Sequence, residues 1–295
     1  MLKYKKSLFL LVCFALLSII SYFTYDKFTT PYSLPKIQNV DPEKYDIDWS
    51  QEKKVSSLSN SSSESKTYHD TLKLLKTDNA KAVEQLKKLI KKHPDNLVYS
   101  NTLRIAMQKE EYGAKFVAFT ETIKNQTPQL QLQKALAYID QLQNQQLGTA
   151  SLGQLSLSSI QVLNQVIEEN PHEWSAHYAR GLNNLYWPVG LKRIDKAVQD
   201  LGFCLAVLKQ QNIKDNPVVP LTYMAYGDAL VKSGEIEKGV SVWKEGEKLI
   251  PDHKGLKERV VGGEKKAKQI VAKDRGIDHF QRPEPTLTDL SILWK

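Results

Sequence analysis

The sequence predicts an all-α protein, a helical-repeat solenoid of antiparallel helix pairs behind one N-terminal transmembrane helix. Three observations predict it. An uncharged run from Ser7 to Tyr25 follows a lysine-rich start. After Lys66, apolar residues recur at three- and four-residue spacing, as in Ala82, Leu86, Leu89 and Ile90, which is the period of a helix with one buried face. No sustained alternation and no Asn-Gly hairpin turn marks a strand. Prolines then fall at a fixed interval: Pro94 to Pro128 and Pro217 to Pro251 each span 34 residues, the length of one helix-turn-helix unit in a stacked array.

The N-terminal run is justified by length and flanking charge. At about 1.5 Å rise per residue, residues 7–25 make a helix of about 28 Å, close to the hydrocarbon thickness of a bilayer. Leu8 to Val12 and Ala15 to Ile20 supply the apolar surface, and Tyr22, Phe23 and Tyr25 stand where an interfacial aromatic belt would. Lys3, Lys5 and Lys6 orient residues 1–6 toward the cytoplasm, leaving the C-terminal domain extracytoplasmic. Secretion after signal cleavage is the alternative, but Leu16-Leu17-Ser18 and Ile19-Ile20-Ser21 fit a small-residue cleavage site poorly. A lipoprotein signal would need small residues before Cys13, where Leu11-Val12 stand.

Residues 26–65 contain Pro31, Pro35 and Pro42 and end in a serine-rich tract. Such a stretch buries too little apolar surface to offset chain ordering, so it reads as a flexible linker. Tyr45, Ile47 and Trp49 form a small apolar island within it. Residues 66–273 read as the helical array with its capping helix, and 274–295 as a C-terminal tail.

Composition narrows the partners. The formal charge is +8, with lysines and acids mixed along most of the chain, and 41% hydrophobic content suffices for a core. No nucleic-acid motif accompanies the charge, so no nucleic acid is expected. Of the two cysteines, Cys13 lies in the apolar run and Cys204 stands alone. The soluble region therefore has no internal disulfide, and Cys204 reads as a small core residue.

The most informative segment runs from Pro220 to Pro251. Tyr223 stands at a first-helix aromatic position, followed by Tyr226-Gly227 and Leu230, with Gly234 at the turn. Gly239, Trp243 and Gly246 follow in the second helix, and Pro251 ends the unit. Gly227 would let the second helix approach the first, and Gly234 would supply the open φ of a helix end. Glycines inside a helix cost on the order of 1 kcal/mol each, so close packing has to compensate. At these positions the segment resembles the tetratricopeptide repeat family. A second unit starts at Pro171, with His177, Arg180-Gly181 and Asn184, then Ala197, Leu201 and Cys204; its corner, Trp187-Pro188-Val189-Gly190, is longer than the family's. Pro94 to Pro128 is a weaker unit, with Tyr99 and Leu103 in its first helix and Ala114 and Ala118 in its second. The Gln-rich interval from Pro128 to Pro171 is expected to hold two helices joined near residues 147–153. A final helix from about Lys254 to Lys273, interrupted at Gly262-Gly263, caps the array.

The resemblance implies a membrane-anchored, non-catalytic scaffold that binds a protein or peptide partner in a concave groove. Alternatives are a chaperone-like or envelope-assembly factor and an accessory subunit of a membrane enzyme complex. The family's groove spacing selects Tyr99, Leu103 and Met107, then Tyr178, Leu182, Leu185 and Tyr186, then Met224 and Asp228. Repeat packing falls to Gly181, Ala197, Tyr223, Gly227, Gly239, Trp243 and Pro251. No Lys-and-Asn clamp for a terminal carboxylate occurs at the groove positions. His172 and His177 are five apart, too far round a helix to share one ion, and Glu173 could pair with His177 at i,i+4. No phosphate loop, nucleophile elbow or CxxC pair occurs, so no enzyme activity, cofactor, metal or small-molecule substrate is expected. The apolar tail, with Leu287, Leu290, Ile292, Leu293 and Trp294, should dock back on the array or serve another protein as ligand.

Overall fold

The structure is a computed structural model and describes residues 12–15, 18, 30–35, 63–108 and 113–294. Among these, the chain is all-helical: eleven α-helices from Ser63 to Arg275, joined by short turns, with no strand. In chain order they are α1 (Ser63–Thr77), α2 (Asn79–Lys92), α3 (Leu97–Gln108), α4 (Ala114–Glu121) and α5 (Pro128–Gln141). There follow α6 (Thr149–Glu169), α7 (Trp174–Leu185), α8 (Ile194–Gln210), α9 (Val218–Ser233), α10 (Ile236–Leu249) and α11 (Lys254–Arg275). No helix among the described residues is long and apolar enough to cross a membrane. The span read at 7–25 lies mostly outside the described residues; positions 12–15 and 18 within it are helical. The short N-terminus 1–6, positions 36–62 of the spacer and the Tyr45–Trp49 island also lie outside them.

Each helix packs on the next, so that α1/α2, α3/α4, α5/α6, α7/α8 and α9/α10 form pairs closed by α11. Further contacts of α3 with α5, α5 with α7 and α9 with α11 line up the odd-numbered helices as one layer. Local chemistry sets the ends. Asp78 caps α2 by accepting from the Lys81 N–H, and Thr127 caps α5 with Pro128 in its first turn. The chain leaves α9 through Gly234 at φ 100°, a conformation that favours glycine.

Pairs α7/α8 and α9/α10 show why their small residues are needed. A Cβ on Gly227 would stand 2.3 Å from the Trp243 ring. One on Gly239 would meet the Gly227 carbonyl at 2.6 Å, and one on Gly246 the Tyr223 ring at 2.7 Å. Trp243 is fully buried and also packs with Ala267 and Val271 of α11, so it joins both the pair and its neighbour. Gly181 repeats the arrangement one pair earlier, with the Leu201 side chain 2.9 Å from its Cβ position, and Ala197 is fully buried in the same pair. Pro251 follows α10 at an exposed turn. Burying a Trp of this kind is worth about 3–5 kcal/mol against Ala.

Several expectations change. In α4 the packing residues are Phe116, Val117 and Phe119, while Ala118 is exposed; the helix presents its larger side chains inward and spares its smallest. Within the expected flexible spacer, residues 30–35 lie on the array: Leu34 packs against the main core and the Tyr32 N–H donates to Gln199 Oε1 at 3.0 Å. His177 does not need Glu173. Its Nδ1 faces Asp200 at 2.9 Å and its Nε2 the Pro171 carbonyl at 3.0 Å, while the Glu173 carboxylate caps the Ser175 N–H. Cys204 is buried, and burial pushes its thiol well up.

Candidate peptide groove

The chain after α11 does not leave the array. From Ile277 to Trp294 it crosses the layer of odd-numbered helices, including two short 3-10 turns at Pro285–Thr288 and Leu290–Leu293. It enters over the corner between α7 and α8: the Val189 N–H donates to the Ile277 carbonyl at 2.9 Å, and Trp187 packs its ring on Phe280 at 4.6 Å. The Gln281 N–H then donates to the Tyr186 carbonyl at 3.0 Å. The residues of this corner thus receive the tail.

Further along, side chains of the array hold the tail by its backbone. Gln143 donates to the Pro283 carbonyl, Gln108 to Pro285 O at 3.3 Å, and Arg104 to Thr288 O. Asn101 works in both senses: its Oδ1 accepts the Leu290 N–H at 3.1 Å and its Nδ2 donates to the Asp289 carboxylate at 2.9 Å. Asn216 holds the Leu293 carbonyl at 2.9 Å. The Thr288 hydroxyl donates to Asp140 at 2.5 Å, and Arg104 donates to the other oxygen of that carboxylate at 2.5 Å and to Gln133 at 2.6 Å. Arg104 and Asp140 are both buried. An arginine with this many acceptors is satisfied where a lone buried charge would be very costly.

The apolar half of the groove is a wall of Leu136, Ile139, Tyr178, Leu182 and Tyr186 that Leu287 and Leu290 close. Trp294 packs against both large core clusters, so the end of the tail bridges the two halves of the array.

The sequence-derived groove residues divide into four groups. Tyr178, Leu182 and Tyr186 line the groove beside the tail. Tyr99, Leu103 and Met107 do not line it; they belong to the core of the first pairs, where Tyr99 packs on Tyr68 at 4.8 Å. Leu185 is fully buried and its carbonyl accepts from Lys232 Nζ at 2.7 Å. Met224 and Asp228 face α11 rather than the tail: the Met224 sulfur lies against Gly255, and Asp228 accepts from Arg259 and Arg275. Burial alone would raise the Asp228 carboxyl, but the two guanidiniums outweigh it and hold it below the ordinary range. Lys232 lies beside them, donating to the Leu185 and Arg275 carbonyls. Burial, with Arg275 next to it, pushes its amine down to about 7.

The polar positions Asn101, Arg104 and Gln108 escaped the sequence reading. The signal available was their i, i+3, i+7 spacing on α3.

On the flank of the α7/α8 pair, Tyr32 lies with its ring over the Arg180 guanidinium at 3.6 Å and 4.9 Å from Lys196 Nζ. Its hydroxyl accepts from Asn184 at 3.1 Å. Arg180 is itself held by Asp200 at 2.8 Å and Asn164 at 2.8 Å, so the array builds this seat from its own residues.

No protein-family model matches the chain, and no curated protein matches it significantly. Among the described residues no group of His, Cys, Asp or Glu could hold a metal ion.

Proposed function

We propose that this chain is a membrane-anchored, non-catalytic scaffold of the tetratricopeptide kind, placed on the extracytoplasmic side, whose groove takes a peptide segment. The observation that carries this reading is how the tail is held: four of its backbone carbonyls, at Pro283, Pro285, Thr288 and Leu293, each accept from an array side chain. Recognition through the backbone suits a peptide ligand held by its main chain, with side chains such as Leu287 and Leu290 filling the apolar wall. The glycine and tryptophan spacing between Tyr223 and Pro251 supports the repeat assignment. Donors fixed in one register favour a selective scaffold over a chaperone that accepts many clients.

The tail, in this reading, is the groove's resident ligand. A protease site introduced at the exposed Asp278–His279 link allows the full chain to fold before the tail is cut. The cut tail should then exchange with an added labelled peptide of residues 280–295, and Asn101→Ala should weaken that binding about tenfold, as loss of one well-made buried hydrogen-bonding group does. A peptide that binds equally well to the uncut chain, or is indifferent to Asn101→Ala, would remove the groove as its site.

A further inference from the structure

We infer that Tyr32 clamps the array close to the bilayer, so that the working tether is the short stretch before Tyr32. The inference rests on the membrane-anchor reading of residues 7–25. Beyond that span, Tyr32 makes four polar or cation contacts with α7 and α8, to Arg180, Lys196, Asn184 and Gln199. Leu34, two residues on, packs against the main core. The Arg180 seat is buried and braced by Asp200 and Asn164, so it exists whether or not the tyrosine is in it.

Chain length does the rest. Tyr25, the last residue of the span, lies seven residues before Tyr32, and seven residues reach at most about 25 Å. Were the whole stretch to Ser63 a free tether, its 38 residues could reach about 130 Å fully extended and about 34 Å on average as a flexible coil. The clamp therefore removes most of the reach. Positions 36–62 follow the clamp in sequence and so carry none of the tether's load. The α7–α8 corner, where Leu191 is half exposed while Arg193 is buried against Asn184 and Ser156, is part of the clamped unit.

The test uses the full chain in vesicles of zwitterionic and anionic lipid. A donor dye is placed at Leu191→Cys in a Cys13→Ser background, and an acceptor is carried on lipid headgroups. Cys204 is buried and leaves the labelling specific. Twelve flexible residues are inserted either after Lys27 or after Ser50; neither position is in the array. The clamp predicts that insertion after Lys27 lowers energy transfer at least twofold and that insertion after Ser50 leaves it unchanged. Tyr32→Ala should make the two insertions equivalent, while Tyr32→Phe, which keeps the ring over Arg180, should preserve the difference. Equal effects of the two insertions in the chain with Tyr32 intact would overturn the clamp. Chain that does not float with the vesicles after alkaline washing would instead overturn the anchor, and the clamp with it.

Discussion

Asp140 and Asp228 are both buried carboxylates satisfied by arginine, yet they hold different parts of the molecule together. Asp228, on α9, accepts from Arg259 and Arg275 of α11, so all the charge lies within the scaffold. Asp140, on α5, accepts from Arg104 of α3 and from the tail's Thr288. The first cluster locks a terminal helix in place; the second is completed only when the tail is seated. Similar chemistry thus joins two helices at one end of the array and a helix pair with the tail near the other.

Breaking the Asp228 cluster should cost most. Asp228→Ala leaves two buried guanidiniums facing each other, and chemical denaturation should show a loss of about 3–5 kcal/mol. Asp140→Ala should cost less, about 2–3 kcal/mol, because Arg104 keeps Gln133 and the Thr288 carbonyl. The same variant should also free the tail, read as faster proteolysis near Asp278–His279; Asp228→Ala assayed under native conditions should raise it less. A protease rate that rises equally in both would erase the distinction drawn between the clusters.

Lys232 gives a pH handle on the Asp228 end. Its folded amine titrates near 7 and its unfolded amine at the ordinary lysine value. Between those values the unfolded chain binds more protons, so stability should rise as pH goes from 7 to 10 and be flat in this contribution below 7. Lys232→Met should flatten that rise by on the order of 2 kcal/mol over the window, measured by denaturation at several pH values. A rise of undiminished slope would place its origin elsewhere. The smallest effect should come from Thr288→Val, which removes one hydroxyl donor to Asp140 and should cost about 1 kcal/mol, again with a faster-cut tail.

The same contrast runs through what was legible from sequence alone. The α9/α10 packing was legible because close helix approach demands glycine, and Gly227, Gly239 and Gly246 stand at the spacing that Trp243 and Tyr223 require. The α7/α8 pair was legible in the same way through Gly181 and Ala197. The groove was less so, since a helix buried on several sides carries more than one plausible stripe. On α3, Tyr99-Leu103-Met107 and Asn101-Arg104-Gln108 both follow helical spacing, offset by about 200° around the axis at the start. Hydrophobicity favoured the first, which packs the core; the polar second faces the tail. Nothing in an isolated stripe says which neighbour will cover it. Tyr32 was illegible for a related reason: it lies in a proline-containing stretch without periodicity, and its seat is assembled from α6, α7 and α8.

The tail's path also bears on how the molecule comes apart. Stacked helix pairs that touch only their neighbours unfold nearly as a one-dimensional chain, fraying from either end. Here Asn101 contacts Asp289 and Leu290, Asn216 holds Leu293, and Val189 is tied to Ile277. One strap therefore spans units that are remote along the stack and binds them into a closed circuit. With it seated, opening α3 loosens contacts that also secure α9, and fraying gives way to loss of the whole. Once the strap is lifted, only contacts between neighbouring helices remain, so a seated tail should make unfolding more cooperative than a released one.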